Sequence, residues 1–203
     1  MKAEFFNPLD KRNLGISIAD AVFRQDAHPL KDLQAFNGAG VYAIYYNGDF
    51  PLYDAITQRN RDAFVQPIYV GKAVPSGARK GGFDLDGMAG EYLFKRLGDH
   101  KKSIESAENL TIDYFHCRFL LLDDIWIHLG ESLLIEKTRP LWNIVLDGFG
   151  NHDSGGGRYN QQRSAWDIMH PGRKWAEKLK EGKEKEEIAK TIVGFLEIFS
   201  KAA

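Results

Sequence analysis

The chain has 203 residues, 43% hydrophobic and 27% charged, ordinary proportions for a globular protein able to bury a sizeable core. No apolar run approaches the ~20 residues of a membrane span, and Met1 to Asp10 lacks a signal-peptide pattern. The single cysteine, Cys117, excludes an internal disulfide or a cysteine-rich metal cluster, so the chain reads as cytoplasmic; a net charge of −1 gives no general cationic excess for nucleic acid. Local charge is more informative. Between residues 72 and 102 stand Lys72, Arg79, Lys80, Lys95, Arg96, Lys101 and Lys102 against Asp84, Asp86, Glu91 and Asp99.

Residues 1–38 mix polar and apolar types, and Ile16 to Phe23 has the pattern of a short helix. Val41-Tyr-Ala-Ile-Tyr-Tyr46 and Pro67-Ile-Tyr-Val70 are rich in β-branched and aromatic residues and bounded by Gly or Pro, so each predicts a strand. Between them, Tyr53 to Arg61 predicts a helix or an ordered loop. Residues 73–90 contain five glycines and a proline, hence loop. Ala89 to Ser103 predicts a helix and Leu110 to Leu122 a long third strand, in whose apolar part Cys117 reads as a buried, inert thiol. A helix follows from Asp123 or Asp124 to about Lys137, stopped by Pro140. Asn143 to Leu146 predicts a short strand, and 147–164 a Gly- and Asn-rich loop. Helical stretches near Gly172 to Leu179 and Glu184 to Phe199 close the chain, and the mixed charges of Lys178 to Lys190 suit a solvated helix face.

Several polar residues fall where chemistry is possible. Arg96 and His100 are four apart on one predicted helix and share a face. Such a pair suits an arginine that stabilises phosphate charge beside a histidine that handles a proton. The helix Ile125 to Lys137 is apolar around most of its circumference, which predicts burial, and Glu131 and Glu136 interrupt it. A buried carboxylate needs an ion partner or a metal. Periodicity does not choose between the two: Glu131 shares its face with Ile127, Leu134 and Ile135, whereas Glu136 lies nearer Ile125 and Leu129. Asn143, in Leu-Trp-Asn, is placed to satisfy a backbone group or to hold a phosphate.

In order, Tyr42, Tyr69, Lys72, Arg96, His100, a glutamate and Asn143 resemble the signature of the GIY-YIG nucleases, with Gly40-Val-Tyr42 and Tyr69-Val-Gly71 as the paired strands. The resemblance puts the metal-binding glutamate on Glu131, which opens the Glu-x-x-Leu-Ile pattern before Pro-Leu-Trp-Asn143. Longer segments are similar to the type II restriction endonucleases of that family that cut CCGCGG: Tyr69-Val-Gly-Lys-Ala-Val-Pro75, Pro140-Leu-Trp-Asn143, Asp147-Gly-Phe-Gly-Asn-His152 and Trp166-Asp-x-x-His-Pro-Gly-Arg-x-Trp-Ala-Glu-Lys178. Tyr42 and Tyr69 lie 27 positions apart, where the family usually has a short connection; the restriction branch shares this insertion.

The resemblance implies an α+β fold: a small antiparallel-containing sheet flanked by helices, with a core over about 38–147, an N-terminal extension over 1–37 and a helical, DNA-recognising extension over 148–203. It implies phosphodiester hydrolysis in double-stranded DNA with one Mg²⁺ held by Glu131, and Tyr42, Tyr69, Lys72, Arg96, His100 and Asn143 as the other catalytic residues. Tyr42 is the expected general base, assisted by His100. A free phenol with a pKa of about 10 is only ~0.3% ionised near pH ~7.5, so Lys72 and the metal are expected to stabilise its anion, with an alkaline-shifted rate profile. A palindromic site implies a homodimer, and restriction implies a companion methyltransferase that is not a stable subunit. Expected base readers are Asn151, Arg158, Asn160, Gln161, Gln162 and Arg163; expected phosphate contacts are Arg79, Lys80, Lys101 and Lys102. The competing readings are a repair or homing nuclease of the same type, a non-catalytic DNA-binding module with this fold, and an unrelated α/β domain whose aromatic strands are only core.

Overall fold

A computed structural model describes residue 7 and residues 10–75, 90–153 and 159–200. Four strands form one antiparallel sheet in the order β1-β4-β2-β3: β1 is His28–Pro29, β2 Gly40–Tyr46, β3 Pro67–Ala73 and β4 Phe115–Leu121. Helices cover both faces. On one lie α1 (Lys11–Phe23) and α4 (Asp124–Thr138), whose Ala19, Val22, Ile127 and Leu134 pack against Val41, Ala43, Tyr45 and Val70. On the other lie α2 (Asp54–Asn60), α3 (Tyr92–Ser106), α5 (Leu141–Ile144), α6 (Ala165–Met169) and α7 (Lys185–Ser200) over Tyr42, Ile44, Tyr46, Ile68 and Phe115. The expected α+β fold, an antiparallel sheet between helices, is the fold observed. No helix among the described residues is long and apolar enough to cross a membrane.

β2 is an interior strand with helices above and below, and all seven of its residues are buried, which is why it reads as an unbroken apolar and aromatic run. β3 is an edge strand with a bulge. Ile44 faces Tyr69 while Tyr45 faces Pro67, so Ile68 is the extra residue. The bulge turns both Ile68 and Tyr69 toward the α3 side, and Val70 toward α4.

Four details depart from the sequence reading. The third strand begins at Phe115, because its partner β2 ends at Tyr46, opposite Phe115; Ile112–Tyr114 is a 3₁₀ turn. The segment expected as a strand near Asn143 is the one-turn helix α5, begun by Pro140. The stretch 172–179 is largely irregular, with one 3₁₀ turn at Ala176–Lys178, because Gly172 has φ +132° and a side chain there would overlap the Ser106 carbonyl. Just before it, α6 is capped by Ser164, whose hydroxyl accepts from the Asp167 amide. The helix α4 is not buried all round: Ile125 is 63% and Trp126 36% exposed, and Ile125 shares with His128, Ser132 and Glu136 an exposed stripe on the side away from buried Ile127 and Leu134.

Glycines make the central strand pair possible. Gly40 has φ +157°, and a Cβ there would overlap the Leu120 carbonyl oxygen. Gly71 stands opposite Tyr42 in the register, and the phenol crosses over it; a Cβ would overlap the Tyr42 hydroxyl and lie 2.6 Å from its Cζ. Gly71→Ala is therefore expected to lower stability by about 1–3 kcal/mol, the ordinary cost of overpacking a rigid core. A urea midpoint equal to that of the wild type would show that the ring moves aside at no cost.

Candidate active site

β2, β3 and α3 bring two phenols and an imidazole into contact. The Tyr42 hydroxyl and Nε2 of His100 share a hydrogen bond of 2.5 Å, and both residues are buried. His100 stacks on Phe149 with ring centroids 4.5 Å and planes 17° apart. Tyr69, delivered to this side by the bulge, closes the group, its ring 5.1 Å from His100 and 6.3 Å from Tyr42. Arg96, one helical turn before His100, reaches the segment after α5: Nη2 donates to the Gly150 carbonyl at 3.1 Å, and Nη1 to Nε2 of His152.

Burial sets the protonation of this cluster. It pushes the Tyr42 phenol well above its ordinary pKa, and the nearby Tyr69 adds to the rise while the Arg96 cation opposes it. Tyr69 is raised by burial too, again opposed by Arg96, and the Glu131 charge pushes both phenols up. Burial, then the charge of Arg96, holds His100 well below the usual imidazole range. At neutral pH the cluster is two neutral phenols, a neutral imidazole and a guanidinium. Arg96 is the cation that opposes the rise in both phenols, and Lys72, expected to favour the phenolate, is paired with Glu131. The pleat explains the exchange: Lys72, like Val70, points to the α4 face, where its ammonium pairs with Glu131.

Glu131 is half-buried beside Lys72, whereas Glu136 is exposed and lines a surface cleft with Arg12, Ile16 and Lys137. Among the described residues no three His, Cys, Asp or Glu side chains gather closely enough to enclose a metal ion. A single accessible carboxylate does suit Mg²⁺, which keeps several waters and takes one or two carboxylates together with substrate phosphate oxygens. Asn143 stands behind the site. Its Oδ1 accepts from the Val70 amide and its Nδ2 donates to the Val70 carbonyl, both at 2.8 Å. The side chain thus pairs with the open edge of β3 as a neighbouring strand would, so of the two uses open to it the backbone contact is the one it makes.

The DNA-reading candidates are dispersed. Asn151, Asn160, Gln161 and Gln162 are exposed on the segment following the site. Arg163 turns inward instead, its guanidinium donating to the carbonyls of Ala176 (3.1 Å) and Glu177 (3.2 Å), which ties the segment to the turn before α7. Lys101 likewise donates to the Lys31 carbonyl at 2.7 Å, while Lys102 is exposed on a groove shared with His152, Lys174 and Lys178. Arg79, Lys80 and Arg158 lie outside the described residues. Cys117 is buried, and burial pushes its thiol up to about 12, as an inert core thiol requires.

Sequence reading passed over His152, the Gly150 carbonyl and Phe149, which complete the surroundings of Arg96 and His100. The only signal for them was the segment Asp147-Gly-Phe-Gly-Asn-His152, which has no helical or strand period to assign its side chains to a face.

The four-stranded antiparallel sheet flanked by helices, with the paired tyrosine strands β2 and β3, is the fold of a GIY-YIG domain. A family model for the Eco29kI GIY-YIG domain matches residues 34–196, and the chain belongs to that restriction endonuclease family. Membership supports nuclease activity and DNA binding. A comparison with curated proteins gives no match.

Two buried imidazoles make the fold acid-sensitive. Burial lowers His100 strongly and His170 to about 3. The unfolded chain takes up these protons near pH ~6.5, the folded one only far below, so in that window the unfolded state binds more protons. Their contribution to stability is complete above about pH 6.5 and is lost as the pH falls toward 3. The urea midpoint should be lower at pH 5 than at pH 7, and His170→Gln should shrink that difference; an unchanged difference would remove His170 from the linkage.

Proposed function

We propose that this chain is a type II restriction endonuclease that hydrolyses phosphodiester bonds at a palindromic C·G-only site in duplex DNA, CCGCGG or a close relative, as a homodimer. The observation that carries this reading is the buried Tyr42–His100 hydrogen bond with Arg96 alongside, in a chain matched by a restriction endonuclease family over 34–196. A companion methyltransferase would protect the host's own sites, and residues 148–203 would form the recognition extension through Asn151, Asn160, Gln161 and Gln162.

In this reading Arg96 faces the scissile phosphate and stabilises the charge that develops on it. Burial keeps Tyr42 protonated, so the phenol works as a relay: its oxygen takes the proton of the attacking water while its own proton passes to the neutral Nε2 of His100. A new P–O bond forms from the water oxygen, and the bond to the leaving oxygen breaks. The incoming phosphate anion offsets the cost of charging His100 beside Arg96. Glu131 would hold one Mg²⁺, which when bound supplies a Lewis acid at the phosphate. Lys72 holds that carboxylate in place, and Asn143 holds the edge strand carrying Tyr69 and Lys72 against α5.

A plasmid of known sequence, digested with Mg²⁺ and end-mapped, should yield discrete fragments with one recurring end sequence; scattered ends would favour a repair-type nuclease, and no cutting a binding module. Tyr42→Phe should slow cleavage by about 10²- to 10⁴-fold, the usual worth of a positioned proton-transfer group. Glu131→Ala should abolish cutting without loss of fold, while Glu136→Ala cuts normally. The reverse result for the two glutamates would move the metal site to Glu136.

A further inference from the structure

Arg173 takes no part in the proposed chemistry, yet it is one of the most heavily bonded side chains near the site. It is 4% exposed. Its Nε donates to Asp167 Oδ1 at 2.6 Å, Nη1 to the carbonyls of Phe149 and Asn151 at 3.2 Å, and Nη2 to the Gly148 carbonyl at 2.9 Å. Its guanidinium carbon lies 4.3 Å from the ring centroid of Trp166 and 4.9 Å from that of Trp175. Asp167 is itself anchored, its other oxygen accepting from the Ser164 hydroxyl at 2.6 Å. Burial opposes the charge on Arg173, and Asp167 restores it. A buried charge of this kind persists when it is paired and hydrogen-bonded, and four of the five N–H donors of Arg173 are used here.

Carbonyls 148, 149 and 151 thus turn to Arg173. The carbonyl between them, that of Gly150, turns the other way and accepts from Arg96, and His152 beyond it meets the same guanidinium. The segment 148–152 is a plate gripped by one guanidinium on each side. The grip of Arg173 determines which carbonyl is left for Arg96.

We propose that Arg173 is a positioning residue for Arg96, acting through the backbone of 148–152. This inference rests on the reading of Arg96 as the phosphate-facing cation. Arg173→Lys keeps the charge beside Asp167 but lacks the fork that serves three carbonyls at once. Gly150→Ala perturbs the same plate from the other side: its methyl would stand 2.8 Å from the Tyr69 hydroxyl and 3.2 Å from Arg96 Nη2. Each variant should lower kcat at saturating DNA by about 10- to 100-fold, with KM within about threefold, because a displaced charge loses transition-state rather than ground-state contact. The double variant should lose less than the product of the two single losses, since both displace Arg96 even though the methyl also crowds Tyr69. The Nε–Hε NMR signal of Arg96, assigned with Arg96→Lys, should move in both variants while thermal unfolding stays cooperative.

Multiplicative losses of kcat, or an Arg96 signal unmoved in folded Arg173→Lys, would overturn the proposal and leave Arg173 as a fold clamp. If Arg173→Lys does not fold, Asp167→Asn replaces it, with a smaller drop in kcat and the same displaced signal expected; wild-type kcat and an unmoved signal there would equally overturn it. Should the wild-type protein not cut duplex DNA at all, the nuclease reading fails, and the NMR comparison still decides whether Arg173 positions Arg96.

Discussion

The phenol of Tyr42 reaches His100 because position 71 carries no side chain. Tyr42 and Gly71 face each other on neighbouring strands, and the ring lies across the glycine to meet Nε2 of His100 at 2.5 Å. Around that crossing the remaining parts are arranged. Phe149 stacks on the imidazole, Tyr69 comes in beside it through the bulge at Ile68, and α3 presents Arg96 one turn before His100. A methyl at position 71 would push against the ring, the ring against His100, and the disturbance would reach α3 and the segment after α5.

The electrostatic design follows from how little water reaches this crossing. Burial raises both phenols and lowers the imidazole, so all three groups are neutral near pH 7. The cation beside them is the guanidinium of Arg96. The opposite charges, Lys72 and Glu131, stand on the other side of the edge strand and neutralise one another.

Much of the layout was legible in the sequence because it rests on local rules. Aromatic and β-branched runs bounded by Gly and Pro marked β2 and β3, and a four-residue spacing put Arg96 and His100 on one face of α3. Reading failed where a side chain does the work of backbone or where a segment has no period. Asn143 sits in a stretch that looks like a strand, but it is the amide, from a one-turn helix, that pairs with the edge of β3. Arg163 looks like a free cation in a loop, yet its guanidinium is spent on the carbonyls of Ala176 and Glu177. The apolar residues of α4 at Ile125 and Trp126 implied burial, but Ile125 lies on the stripe of His128, Ser132 and Glu136 that stays exposed along the helix.

By itself the sequence determined which chemical groups are available, their order along the chain, the strands and helices that carry most of them, and the family to which the whole belongs. These are properties of spacing and side-chain type, and they survive without knowledge of contacts. Only the tertiary structure decided which face each group turns to and what it touches. Strand alternation puts Tyr69 and Lys72 on opposite faces of β3, but only the pairing of β3 with β2 and the helices packed on each side decide that Tyr69 joins the phenol–imidazole cluster and Lys72 meets Glu131. The contact between Arg96 and Gly150 depends on the direction of one carbonyl, which is set by a buried arginine 23 residues further along that holds the carbonyls on either side of it. Carbonyl directions in an irregular segment are fixed by the donors around it, and those donors are assembled only when the chain has folded.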